Sequence, residues 1–72
     1  MTELTPRQAD ILAWIEHYIE RNRYSPSVRD VAGYFGMTAK GMYDHLKALR
    51  KKKRLTWRLG IARTFQIISK DA

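Results

Sequence analysis

The sequence predicts a mainly α-helical fold closed by a small β-hairpin. Three observations carry this. Apolar residues recur at three- and four-residue spacing between Ile11 and Leu49, Ser or Thr residues stand where helix caps belong, and after Arg54 the apolar period changes to two. Seventy-two residues make one small domain, residues 1–72, with a modest core and a shallow functional surface.

The first helix is expected over 6–22. Thr5 can accept a bond from the third helical amide, Gln8 can reach back to Thr5, and Pro6 fits the first turn, where its missing N–H costs nothing. Ile11, Leu12, Ile15, Tyr18 and Ile19 then form one apolar stripe. Trp14 stands at the stripe's edge, where it can extend the core, cover a neighbouring loop or join a contact surface, the first being preferred. His17 has no second ligand at a useful spacing, which makes it a solvated residue; no metal site is expected.

Ser25 precedes Pro26 and is pushed out of helical geometry, so the first helix gives way to a turn. Ser27 and Asp30 form a second capping box, and Val28, Val31, Ala32 and Phe35 give a short helix over 28–35 stopped by Gly36. A helix of this length is unstable alone and must be held by packing. Gly36 and Met37 then lead to Thr38, the natural N-cap of a third helix over 39–52 whose buried face is Met42, Leu46 and Leu49. Two helices joined by so short a turn make the helix-turn-helix pattern, in which the second helix is offered to a DNA major groove.

Beyond Arg54, Leu55, Trp57 and Leu59 alternate with polar residues, Gly60 to Ala62 break the pattern, and Phe65 and Ile67 alternate again. This predicts strands over 55–59 and 64–68, with Leu55, Trp57, Phe65 and Ile67 packed on the helices, because a lone two-stranded hairpin is not stable. Three helices followed by a hairpin is the order of a three-helix winged helix-turn-helix.

Composition narrows the partner. The absence of cysteine excludes disulfides and thiolate zinc sites, and no apolar run approaches the roughly 20 residues of a membrane span. With no signal-peptide layout either, the expectation is a soluble, cytoplasmic protein. The net charge of +7 is unevenly spread: residues 1–36 carry four cations and five anions, whereas residues 37–72 carry ten and two. Such asymmetry points to a polyanion facing the second half, since neutralising phosphates releases condensed counterions. A generically basic, solvated surface is the plainer reading.

Candidate contacts cluster on the third helix. Ala39, Lys40 and Gly41 leave room for backbone to approach nucleic acid; Gly41 costs about 1 kcal/mol relative to alanine, for groove access or for close packing on the second helix. Tyr43 can reach a phosphate or a thymine methyl, and Asp44 can accept from a cytosine amino group or pair with Lys40 or Lys47. His45 can contact DNA, donate to backbone or pack partly buried against the wing, the last being preferred. Lys47, Arg50, Lys51, Lys52, Arg54, Arg58 and Arg63 are the expected phosphate contacts, with the unbroken cations from Arg50 to Arg54 also complementing the negative end of the helix.

The whole resembles the N-terminal DNA-binding domain of the LexA family of SOS-response repressors. The resemblance rests on LTPRQADIL at the first helix, SPSVRDVAGYFGM through the second, HLKALRKK at the end of the third, and Gly60, Arg63, Phe65 and Ile67 in the wing as G-x-x-R-x-F-x-I. It implies a third helix reading a palindromic operator in the major groove with two copies on adjacent half-sites, Thr38, Ala39, Lys40, Gly41, Tyr43 and Asp44 at the groove and Arg63 on the wing. Departures exist: the chain is shorter between Gly36 and His45 than proteobacterial relatives, lacks their Ser, Asn and paired Glu in the reading turn, and carries Lys53 where the family often has glycine. The serine-lysine self-cleavage domain that such repressors carry has no counterpart in these residues, which read as an excised module or a free-standing relative.

The expected function is therefore sequence-specific binding of double-stranded DNA by a bacterial repressor, with no enzymatic activity and no cofactor, the domain being a monomer in isolation, with two copies on DNA as the resemblance implies. The competing class is a protein-interaction or RNA-binding winged helix, favoured if Trp14, Tyr24, Tyr34 or Trp57 form one surface patch.

Overall fold

A computed structural model describes residues 4–68 of the chain. Helix α1 (Pro6–Asn22), α2 (Val28–Phe35) and α3 (Ala39–Lys51) are followed by strands β1 (Leu55–Thr56) and β2 (Gln66–Ile67). The protein is a winged helix-turn-helix.

Local capping sets each helix start. The Gln8 amide donates to Thr5 Oγ1 at 3.2 Å and the Thr5 amide to Gln8 Oε1 at 3.1 Å. Ser27 and Asp30 repeat the arrangement on α2, both bonds at 3.1 Å. On α3 only the forward bond is made, Gly41 N–H to Thr38 Oγ1 at 3.0 Å. Each such cap is worth about 1 kcal/mol.

The helix ends are equally specific. Arg23 ends α1 and Gly36 ends α2 in left-handed conformations, at φ 65° and 67°. Helix α3 stops at Lys51, one residue short of the sequence expectation, because Lys52 is the cap. Lys53 follows at φ 61°. Its amide donates to Arg50 O and that of Arg54 to Leu49 O, at 2.9 and 3.1 Å. This is a Schellman closure, the geometry that usually selects glycine. Lys53 thus takes a left-handed turn with a side chain, at the position where the resembled family often has glycine.

Ile11, Leu12 and Ile15 of α1, Val31 and Ala32 of α2, Met42, Leu46 and Leu49 of α3, and Leu55 and Phe65 of the wing form one buried core. Burying each large side chain contributes about 2 kcal/mol. Trp14, Trp57 and Ile67 pack partly buried against it.

The wing is shorter than its alternating pattern predicts. Among the described residues Leu55 pairs with Ile67 and Thr56 with Gln66, antiparallel, and the Ile68 amide donates to Arg54 O at 3.1 Å. Beyond them a side chain replaces the ladder: the Arg58 amide donates to Thr64 Oγ1 at 2.9 Å, and that hydroxyl lies 3.0 Å from Ile61 O. Gly60 at φ 78° and Arg63 at φ 60° turn the chain between these points. Leu59 consequently misses the core and is 67% exposed.

Candidate nucleic-acid interface

Helix α3 presents its start to solvent because its inner face is committed to the core. Met42, Leu46 and Leu49 are fully buried, while Thr38, Ala39, Lys40 and Asp44 are exposed and Gly41 and Tyr43 half-buried. The sequence-predicted base-reading residues therefore lie together around the first two turns. Gly41 does not owe its identity to packing on α2. A Cβ there would stand 3.2 Å from Thr38 Oγ1, the oxygen that caps the helix.

The next turn is internally paired. Asp44 lies 3.6 Å from Lys47 Nζ, both side chains more than half exposed. That ammonium also lies 5.3 Å from the centre of the Tyr43 ring. One turn on, the Arg50 guanidinium covers the Trp57 indole. Tyr43, Trp57 and Phe65 form a continuous line of edge contacts from α3 into the wing.

The cations expected at phosphates divide into groups. Lys47, Lys51 and Arg58 are exposed, and Arg50 is half-buried on Trp57. Arg54 is half-buried, with its Nε enclosed and lacking a hydrogen-bond partner. The Lys52 ammonium turns inward and donates to Gln8 Oε1 on α1 at 2.6 Å. Arg63 turns to the start of α2, its Nη1 lying 3.0 Å from Asp30 Oδ2 and 3.4 Å from Ser25 O. Its guanidinium also covers the Tyr24 ring at 5.6 Å.

Ser25 is the second anchor of this corner. Its hydroxyl accepts the Phe65 amide at 2.9 Å and donates to Pro26 O at 2.9 Å. The Asp30 carboxyl is held below its ordinary range, first by the Ser27 backbone N–H and then, against a partial burial effect, by Arg63. The Arg63 guanidinium is pushed above its ordinary value, first by the Tyr18 side chain, with Asp30 adding to it. Sequence reasoning assigned Asp30 only a capping role and Ser25 only a turn. The sole signal for more was an arginine in the wing pattern, expected at a phosphate and given no partner inside the domain.

Between these features runs an open groove of about 450 Å³, bounded by Arg29 of α2, Ala39 and Tyr43 of α3, and Arg58 and Ile61 of the wing. A second aromatic group lies elsewhere. Trp14 stacks on Tyr34 at 5.1 Å and touches Tyr18, which meets Tyr24. Trp57 belongs to the Tyr43 and Phe65 line and not to this patch. His17 is exposed and His45 half-buried. Among the described residues no three His, Cys, Asp or Glu side chains are placed to hold a metal.

Comparison with known proteins gives a consistent picture. Residues 1–64 match the model of the LexA DNA binding domain. The chain is 48% identical over 56 residues to a LexA repressor of Thermosipho africanus, covering 78% of this chain and 28% of that protein. It is 43% identical over 67 residues to the LexA repressor of Thermotoga maritima, covering 93% of this chain and 34% of the relative. The match to a LexA repressor of Leptospira interrogans is 40% over 68 residues, 94% of this chain and 34% of the relative. The chain spans about a third of the length of these curated relatives.

Proposed function

Because this chain belongs to the family of LexA DNA-binding domains, we propose that it is the operator-reading part of a LexA-like transcriptional repressor. Double-stranded DNA is its partner. Thr38, Ala39, Lys40, Gly41, Tyr43 and Asp44 are assigned to base edges in the major groove, and Lys47, Arg50, Lys51, Arg54 and Arg58 to phosphates. Lys52 and Arg63 are engaged within the domain and contribute to the field more than to direct contact. The role is binding, and no reaction is assigned to these residues.

The observation that carries this reading is the exposed start of α3, Thr38 to Lys40, on a helix whose inner face is fully buried. A rigidly seated helix offers side chains to base edges without first being ordered, and flanking cations supply affinity. Since one small domain buries limited area on DNA, two copies on a palindromic operator are proposed for tight binding, the free domain being monomeric. No helix among the described residues is long and apolar enough to cross a membrane. The cytoplasm, at the nucleoid, is the proposed location.

Titrating a labelled duplex selected from a random pool, at several salt concentrations, tests the reading. With about five phosphates contacted, log K falls against log salt with a slope of about −4 to −5. Lys40→Ala weakens the selected duplex more than a random one, whereas Lys51→Ala weakens both alike. A flat salt response, or a pool that yields no preferred sequence, overturns the proposal.

One observation favours a second reading. Tyr34 and Tyr24 are 66% and 53% exposed in the patch around Trp14, which suits a protein-interaction or RNA-binding surface. Tyr34→Ala leaves duplex binding intact if the patch is separate from the DNA surface. Equal affinity for duplex DNA and for RNA would favour this second reading.

A further inference from the structure

We propose that Asp30, Ser25 and Arg63 form a latch that sets the wing before DNA arrives, so that Arg63 acts on DNA through the wing's position and not through a phosphate. The proposal deepens the DNA-binding reading and rests on it for its binding consequence.

The wing has little stability of its own. Two residue pairs form its ladder, and an isolated hairpin even of full length is marginal in water. Its return limb is nevertheless tied to the turn between α1 and α2. The Phe65 amide enters a buried hydroxyl, Ser25 Oγ, which is itself fixed by donating to Pro26 O. Two residues earlier, Arg63 reaches the same turn and the α2 cap together, through Ser25 O and Asp30 Oδ2. The Tyr24 ring closes over the guanidinium.

Two features show that the arrangement is selective. Arg63 sits at φ 60°, a conformation that a non-glycine residue seldom adopts. An arginine is suited to this position because its side chain ties the turn. Asp30, for its part, already serves the Ser27 amide, so one carboxylate fixes both the start of α2 and the wing. The pairing also removes Arg63 from the set of free cations on a surface that meets phosphates.

The sign of one substitution separates the alternatives. Removing an anion from a DNA-binding domain strengthens binding if only the field matters. Asp30→Asn keeps an acceptor for the Ser27 amide and loses the charge that holds Arg63, so the latch predicts weaker binding. The test uses Asp30→Asn, Arg63→Gln and the double variant with two readouts. Amide exchange in the free protein is expected to quicken about tenfold at Phe65 in each single variant and no further in the double, with Leu46 and Leu49 of α3 unchanged. Duplex titration is expected to show severalfold weaker binding in both singles, an unchanged salt slope, and a double variant no worse than the weaker single.

Unchanged exchange at Phe65 overturns the latch. So does tighter binding by Asp30→Asn together with a slope reduced by about one in Arg63→Gln, which would make Arg63 a phosphate contact. Arg63→Lys, which keeps the charge, guards against a folding defect in the glutamine variant and is expected to restore part of the protection. If the parent domain bound no duplex, the DNA reading would fall while the exchange measurement still decided the latch.

Discussion

The guanidinium of Arg50 lies 4.7 Å from the centre of the Trp57 ring, so a cation of α3 is held against the first limb of the wing. Arginine stacks on an aromatic face through its plane, which lysine cannot reproduce, and the contact is worth about 0.5–1 kcal/mol at a partly exposed site. Arg50→Lys preserves the charge and loses the stacking. Duplex affinity is expected to fall about two- to fivefold with the salt slope unchanged, whereas Arg50→Gln lowers the slope by about one. A lysine variant that binds like the parent would show that charge alone matters here.

Lys53 holds a left-handed conformation, at φ 61°, in the closure that ends α3. A side chain there costs roughly 1–2 kcal/mol that glycine avoids, partly offset by glycine's greater freedom when unfolded. Lys53→Gly is therefore expected to stabilise the domain by about 1 kcal/mol, raising the thermal midpoint by roughly 4–8 °C. Lys53→Ala keeps the Cβ and should give no such gain. Parallel thermal melts of the two variants separate backbone strain from the loss of a charge.

These two sites show where the sequence was readable. Helix starts were legible because Thr5, Ser27 and Thr38 act on amides three residues away, and such partners lie inside any local window. The position of Lys53 was also legible as a departure, since a lysine stood where glycine was expected. The wing's extent was not, because the Thr64 hydroxyl displaces the ladder and Ser25 binds an amide 40 residues away. Lys52 reads as one more cation in a basic run until Gln8, 44 residues distant, is brought against it. The residues proposed to read bases lie in one patch, since helical period alone puts them outward; Lys47 was one of two cationic partners open to Asp44.

Gly41 and Thr38 are coupled. A Cβ on Gly41 would meet the capping oxygen at 3.2 Å, so the roughly 1 kcal/mol that alanine gains in a helix is set against a cap worth about the same. Gly41→Ala alone is expected to change stability by less than about 0.5 kcal/mol. In a Thr38→Ala background the oxygen is gone, and the same substitution should stabilise by about 1 kcal/mol. Urea denaturation of the four proteins closes the cycle. Equal effects in both backgrounds would show that the hydroxyl yields freely.

Asp30 gives the domain a specific acid sensitivity. Its carboxyl titrates below the ordinary value of 3.8. A depressed folded value means stabilisation that is complete above the unfolded value and lost as pH falls through the folded one. The stability deficit of Asp30→Asn is thus expected to be constant from neutral pH to about 5 and to shrink towards zero below the carboxylate range. The leading cause is the Ser27 backbone N–H, ahead of Arg63, and the pair with Arg63 is a half-exposed one, which solvent screens. Arg63→Gln should therefore leave most of this acid dependence in place. Urea midpoints of the three proteins at stepped pH decide the matter: if Arg63→Gln abolished the dependence, the ion pair and not the helix cap would be what holds the Asp30 proton off.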